Sequence, residues 1–206
     1  LNNSDPFIVE NGSAAYIPTE SELALAAELP ETFNFLYKSF TRQREYWLKK
    51  LDELPPDLLN QFTAFSEMSC QELANFTGLS EKEAQRAKER EYSEPLLWTG
   101  SGKRKEEFIK LFTQTGAVLL EGGRFLHIQG QTDKGRAMHW LASVYRQANP
   151  ETSYITIGLG DSNNDLDMLK EADFAIVIKS PAHPYPAIER EADIYFTKNT
   201  GQSGWV

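Results

Sequence analysis

The sequence predicts an α/β fold, a doubly wound parallel sheet with a second, α+β domain, and three observations carry that expectation. After residue 129 the pattern runs helix, apolar strand, acidic loop, helix, strand, helix, strand, the repeating unit of a doubly wound parallel sheet. Tyr154-Ile155-Thr156-Ile157-Gly158-Leu159 is apolar and β-branched with little alternation, as a buried parallel strand should be. Residues 117–120 and 125–128 instead form two apolar runs around Gly122-Gly123, a hairpin and therefore antiparallel. These patterns mark residues 32–128 as an α+β domain between residues 1–31 and the core pattern of 129–206.

In chain order, residues 6–17 read as a strand, a turn at Asn11-Gly12 and a second strand, because Asn-Gly accepts the left-handed backbone of a tight hairpin. Residues 31–51 carry Phe33, Leu36, Tyr37, Phe40, Trp47, Leu48 and Leu51 at helical spacing, which predicts one amphipathic helix stopped by Pro55-Pro56. Ser80 with Glu83 is a capping-box pattern for a short charged helix reaching about Arg90. A strand follows at 92–98, and an amphipathic helix at 104–112 ends before Gly116. Beyond the hairpin, Ala137, Leu141, Val144 and Tyr145 mark a helix with Thr132 or Asp133 as its cap. Strands at 154–160, 174–178 and 194–196, with a helix at 187–191 between the last two, complete the core.

Composition narrows the function classes. The 206 residues suffice for a substantial core, and the net charge of −9 with a pI near 4.9 argues against nucleic acid or anionic membrane as a partner. A single cysteine, Cys70, rules out an internal disulfide and points to a reducing, cytoplasmic setting. No apolar stretch approaches a membrane span. Leu1 in place of methionine, followed almost at once by a strand, suggests further sequence upstream.

The most informative segment is Gly160-Asp161-Ser162-Asn163-Asn164-Asp165. It delivers two carboxylates and two carboxamides just past a strand's carboxyl end, where open α/β sheets hold their ligands. One acid alone serves as a turn or cap residue, but two acids four apart behind a glycine form an oxygen-rich loop suited to Mg²⁺, which takes one or two carboxylates plus phosphate oxygens. A calcium loop is excluded, since its sixth and twelfth positions, Gly and Glu, are Leu166 and Ala172 here.

Lys134 is the second anomaly. It stands in the first turn of its helix, where a cation opposes the helix dipole by several tenths of a kcal/mol, so an anionic neighbour is expected. Helix N-termini bind anions, which makes phosphate the economical ligand for the pair formed with the acidic loop. Thr99-Gly100-Ser101-Gly102-Lys103-Arg104 only mimics a nucleotide-binding loop, because Leu97 replaces its first glycine and Arg104 its hydroxyl residue.

Asp133-Lys134-Gly135, the acidic loop with Met168 after it, and Glu10-Asn11-Gly12 resemble the haloacid dehalogenase superfamily of phosphatases over essentially the whole chain. More narrowly, residues 87–95 and Gly123-Arg124-Phe125-Leu126-His127, together with Gly204-Trp205, look like motifs of the mannosyl-3-phosphoglycerate phosphatase family. The resemblance implies a Rossmann-like core with an inserted α+β cap, Mg²⁺ as cofactor, a small phosphorylated sugar-glycerate as substrate and a place in making mannosylglycerate. It implies catalytic roles for Lys134, Asp161 and Asp165, the last two as metal ligands directly or through water. Substrate contacts would come from Asn11, Arg90, Ser93, Glu94, Arg124, His127 and Asn164. That family's Asp-x-Asp nucleophile pair behind an N-terminal strand has no counterpart here, since Asp5 precedes Pro6 and Phe7. An aspartyl-phosphate mechanism therefore requires an upstream segment, and residues 1–206 alone are expected to be inactive. Another sugar-phosphate phosphatase of this architecture and a non-catalytic sugar-phosphate binder are the alternatives.

Overall fold

The computed structural model describes residues 3–122 and 125–204. It divides into two compact units, Leu1–Phe40 with Thr132–Val206, and Thr41–Gln131. In the first unit, β1 (Phe7–Val9) and β2 (Ala14–Pro18) form a hairpin around a 3-10 turn at Glu10–Gly12. With β3 (Glu31–Thr32) and β4 (Phe35–Ser39) they make an antiparallel sheet in the order β1-β2-β4-β3. The single helix expected over residues 31–51 is therefore two strands followed by a shorter helix, α1 (Arg44–Asp52). Aromatic pairing across the sheet decides this. Tyr16 stacks on Phe7 at 5.3 Å and on Tyr37 at 6.1 Å between ring centroids, and cross-strand aromatic pairs stabilise a sheet by about 0.2–1 kcal/mol each.

The second unit continues from α1 through α2 (Pro56–Leu59), β5 (Phe62–Ala64), α3 (Cys70–Thr77) and α4 (Glu81–Lys88). It then runs through β6 (Glu94–Trp98), α5 (Gly102–Thr113), β7 (Ala117–Gly122) and β8 (Phe125–Gly130). Its sheet is antiparallel throughout, in the order β5-β6-β8-β7. Side chains alternate across the strands, so two cores form. On one face Leu96, Leu126 and Ile128 pack with Trp47 and Leu51 of α1 and with Phe108 and Phe112 of α5. On the other, Leu97 and Phe125 meet Leu73 of α3 and Ala84 of α4. Ser69–Glu72 and Ser80–Glu83 capping boxes begin α3 and α4. The unit's two ends meet, since a Cβ placed on Gly130 would lie 1.6 Å from Thr41 Oγ1.

The first unit resumes with α6 (Lys134–Ala148), β9 (Ile157–Gly160), α7 (Leu166–Glu171), β10 (Phe174–Lys179) and β11 (Ile194–Thr200). The last three strands are parallel, in the order β11-β10-β9. α6 covers the antiparallel sheet through Trp140 and Val144 against Ile17 and Leu36, while α7 sets Leu169 on Ala175 and Val177. β9 is less buried than its apolar sequence predicts, with Ile157 52% exposed, because among the described residues it pairs on one side only. The helix expected at 187–191 is irregular chain. There Arg190 donates to the carbonyls of Leu169, Ala172 and Asp173, downstream of Pro181, Pro184 and Pro186, whose rings remove donors and restrict φ. The units exchange at 40/41 and 131/132 rather than at 31/32 and 128/129, because β4 pairs with β2 and β8 runs on to Gly130.

Candidate active site

Three segments of the first unit converge at the N-terminus of α6. The turn before β2 places Asn11 at φ +60° and Gly12 at φ +89°. A Cβ on Gly12 would sit 2.1 Å from the carbonyl oxygen of Asp133, so only a glycine lets this turn approach the helix start. Thr132 Oγ1 donates to Gly12 O at 2.6 Å, and Asp133 caps the helix by accepting from Arg136 N at 2.7 Å. Gly12→Ala is expected to cost about 2 kcal/mol or more, from the left-handed backbone and the collision together. A thermal melt of the variant measures it, and a midpoint equal to that of the parent would mean the contact is dispensable.

The acidic loop supplies the third segment. Lys134 Nζ donates to Asp165 Oδ1 at 2.5 Å, so the anion expected beside that lysine is a carboxylate of the protein itself. The other oxygen of Asp165 accepts from Asp161 N and Ser162 N, both at 3.1 Å, and from Ser162 Oγ at 2.9 Å. Gly160 permits this closure, since a Cβ there would be 2.4 Å from Asp165 Cβ. Asp165 is thus buried and fully committed, its side chain 7% exposed against 32% for Lys134. The carboxylate of Asp161 is partly exposed and has no hydrogen-bond or ion-pair partner among the described residues. Asn164, exposed, accepts from Ser162 Oγ. Asn11 Oδ1 is buried with no hydrogen-bond partner among the described residues.

Burial pushes the Asp165 carboxyl upward, but the Lys134 ammonium and the Ser162 donors outweigh it and hold it below the usual carboxylate range. A depressed folded-state value means that its stabilisation is complete above the ordinary carboxylate pKa and lost as pH falls through the lower folded value. The melting temperature is therefore expected to fall with acid in that window, more steeply than in Asp165→Asn. Parallel pH curves for the two proteins would count against the pair.

A second cluster lies wholly in the inserted unit. Arg90 donates to Ala87 O at 3.2 Å and to Ser93 Oγ at 3.1 Å. His127 stands opposite Pro95 in the β6–β8 ladder, and burial, followed by the Arg90 charge, lowers its pKa. Glu94 is completely buried. Its Oε2 pairs with Arg44 Nε, and its Oε1 accepts from Ser66 N at 2.9 Å and Ser66 Oγ at 3.1 Å. Arg124 lies outside the described residues, as does Trp205 of the closing motif.

No family model matches the chain. It is 31% identical over 200 residues to the glucosyl-3-phosphoglycerate/mannosyl-3-phosphoglycerate phosphatase of Methanococcoides burtonii, covering 97% of this chain and 73% of that protein. The chain belongs to this phosphatase family. A relative of the same name from Persephonella marina is 29% identical over 209 residues, spanning 100% of this chain and 74% of its own. Among solved structures, TM0651 from Thermotoga maritima aligns with a TM-score of 0.52 at 15% identity, over 91% of this chain and 68% of that one. BT1666 from Bacteroides thetaiotaomicron, a phosphatase of the haloalkanoate (HAD) superfamily, aligns with a TM-score of 0.52 at 12% identity, over 86% and 65% respectively. Both likenesses support the α/β fold of the HAD phosphatases.

Within this glycosyl-3-phosphoglycerate phosphatase relative, the fold brings Asn11, Lys134, Asp161, Asn164 and Asp165 into one unit and Arg90, Ser93, Glu94 and His127 into the other. Sequence reasoning missed Ser162, whose place inside the acidic motif was the available signal, and Arg44, whose partner Glu94 is 50 residues away. No helix among the described residues is long and apolar enough to cross a membrane.

Proposed function

We propose that this protein is a Mg²⁺-dependent phosphatase that hydrolyses the phosphomonoester of a glycosyl-3-phosphoglycerate, mannosyl-3-phosphoglycerate foremost, leaving the glycosylglycerate and phosphate. The observation that carries it is the ion pair of Lys134 with Asp165 beside the Asp161 carboxylate, which has no partner among the described residues, at the end of β9. A lysine anchored at one oxygen of a fixed carboxylate keeps further N–H donors for an anion. Phosphoryl transfer depends mainly on such positioning and charge neutralisation. The names of the two family relatives supply the substrate class.

The donor set fits Mg²⁺, which needs only one or two protein carboxylates when phosphate and water complete its shell. Asp161 would hold it, and Asp165, already engaged by Lys134 and Ser162, would steady Asp161 through its backbone N–H. No group of three acidic, His or Cys side chains among the described residues could hold a metal by itself. When bound, the ion would neutralise charge on the phosphoryl oxygens.

The chain covers 73% and 74% of its two longer relatives, and the nucleophile that would form an aspartyl-phosphate is assigned to a segment outside residues 1–206. In the inserted unit, Arg90 and Ser93, with His127 and Arg124, are assigned to the glycerate and sugar groups, because a guanidinium binds a carboxylate bidentately. The test is a phosphate-release panel on the product of the complete reading frame, comparing mannosyl- and glucosyl-3-phosphoglycerate with simple sugar phosphates. Selectivity for the phosphoglycerates is expected, with no release by residues 1–206 alone. Equal rates across the panel would overturn the substrate assignment.

A further inference from the structure

We propose that Arg44 is a positioning residue for the substrate-binding groups of the inserted unit, and that Glu94 acts with it from the hidden face of the sheet rather than touching ligand. This inference rests on the substrate class proposed above. The segment between α4 and β6 carries Arg90 and Ser93, and α1 grips its backbone throughout. Arg44 N donates to Glu91 O at 2.7 Å, Arg44 Nη1 to Lys88 O at 2.9 Å and to Arg90 O at 3.5 Å. One turn along α1, Trp47 Nε1 donates to Tyr92 O at 3.1 Å. Four carbonyls between residues 88 and 92 are thereby fixed from one helix.

Strand alternation separates this clamp from the ligand groups. Glu94 pairs with Ile128, on the face that α1 and α5 cover, whereas His127 and Pro95 belong to the opposite face. Both Glu94 oxygens are taken, and the Arg44 side chain is only 11% exposed, so neither is presented to a solute. Stability alone is a poor reason for the pair. A buried ion pair gains little over apolar side chains of similar volume, and Arg44 Nη2 is buried without an acceptor among the described residues. What the pair does supply is a fixed path for the backbone on which Arg90 and Ser93 stand.

Arg44→Lys and the double variant Arg44→Met/Glu94→Gln test this in the complete protein. The double variant retains an acceptor for Ser66 and leaves no unpaired buried charge, so it tests the idea even where the lysine variant misfolds. KM for mannosyl-3-phosphoglycerate is expected to rise about tenfold or more, the scale of one misplaced charge-assisted hydrogen bond, with kcat changing far less. The NMR titration of His127 is expected to move up toward the ordinary histidine value as the Arg90 charge loosens. Lys50→Ala, which removes only the exposed Lys50–Glu53 pair of α1, should change neither readout. A folded double variant with parental KM and parental His127 titration would overturn the proposal. The titration needs no turnover, so an enzyme inactive on every phosphoglycerate would defeat the substrate assignment while the clamp was still judged by NMR.

Discussion

Lys134→Met is expected to lower phosphate release by the complete protein at least about a thousandfold, the scale on which removal of a charge-stabilising group slows phosphoryl transfer. The same change leaves the buried Asp165 without its cation, and a further loss of about 1–3 kcal/mol in stability should follow. The two effects can be separated. Lys134→Met/Asp165→Asn removes both charges while Ser162 still has an oxygen to bond, so the double variant should recover much of the lost melting temperature and none of the turnover. Phosphate release and thermal melts on the three proteins decide it. Near-parental release by either variant would take Lys134 out of the reaction.

Asp161→Asn should behave in the opposite way. Its carboxylate has no partner among the described residues, so the folded state loses little, within about 0.5 kcal/mol of the parent as for surface changes. Mg²⁺-dependent turnover should nevertheless fall at least about a hundredfold, since Asp161 is the carboxylate proposed to hold the ion. Mg²⁺ should raise the melting temperature of the complete parent and not that of the variant, because a ligand stabilises the state that binds it. An equal Mg²⁺ shift in both proteins would place the metal elsewhere.

The contrast between these two acids was only partly legible in the chain. Both stand in one short loop whose composition announces oxygen ligands, but their division of labour depends on Lys134, 31 residues earlier. A lysine at the wrong end of a helix signalled that some anion was near without saying which. Helices with local signals were readable, as at Ser80 and Asp133, where the cap and its donors lie within three residues. The same Ser-x-x-Glu grammar at Ser69 and Glu72 marks α3, a helix that apolar periodicity leaves unmarked.

Misreadings arose where non-local pairing outweighed local pattern. Phe33, Leu36, Tyr37 and Phe40 fall at intervals a helix would use, yet β2 offers this stretch a ladder and aromatic partners that exist only in the folded chain. Residues 187–191 show the converse, because helical spacing there is overridden by the bonds Arg190 makes to the turn between α7 and β10. The Arg44–Glu94 pair had no local signature at all.

The meeting of Thr41 and Gly130 bears on how the chain reaches its native state. The first unit is assembled from segments on either side of the insert, and joining them across an unfolded loop of this length costs about 4 kcal/mol in chain entropy. An insert that has already collapsed holds its own termini side by side and removes most of that search. The sequence-local half should therefore fold early and the split half late. Lesions in the insert's interior, such as Phe108→Ala, should then retard refolding of residues that never touch the altered side chain.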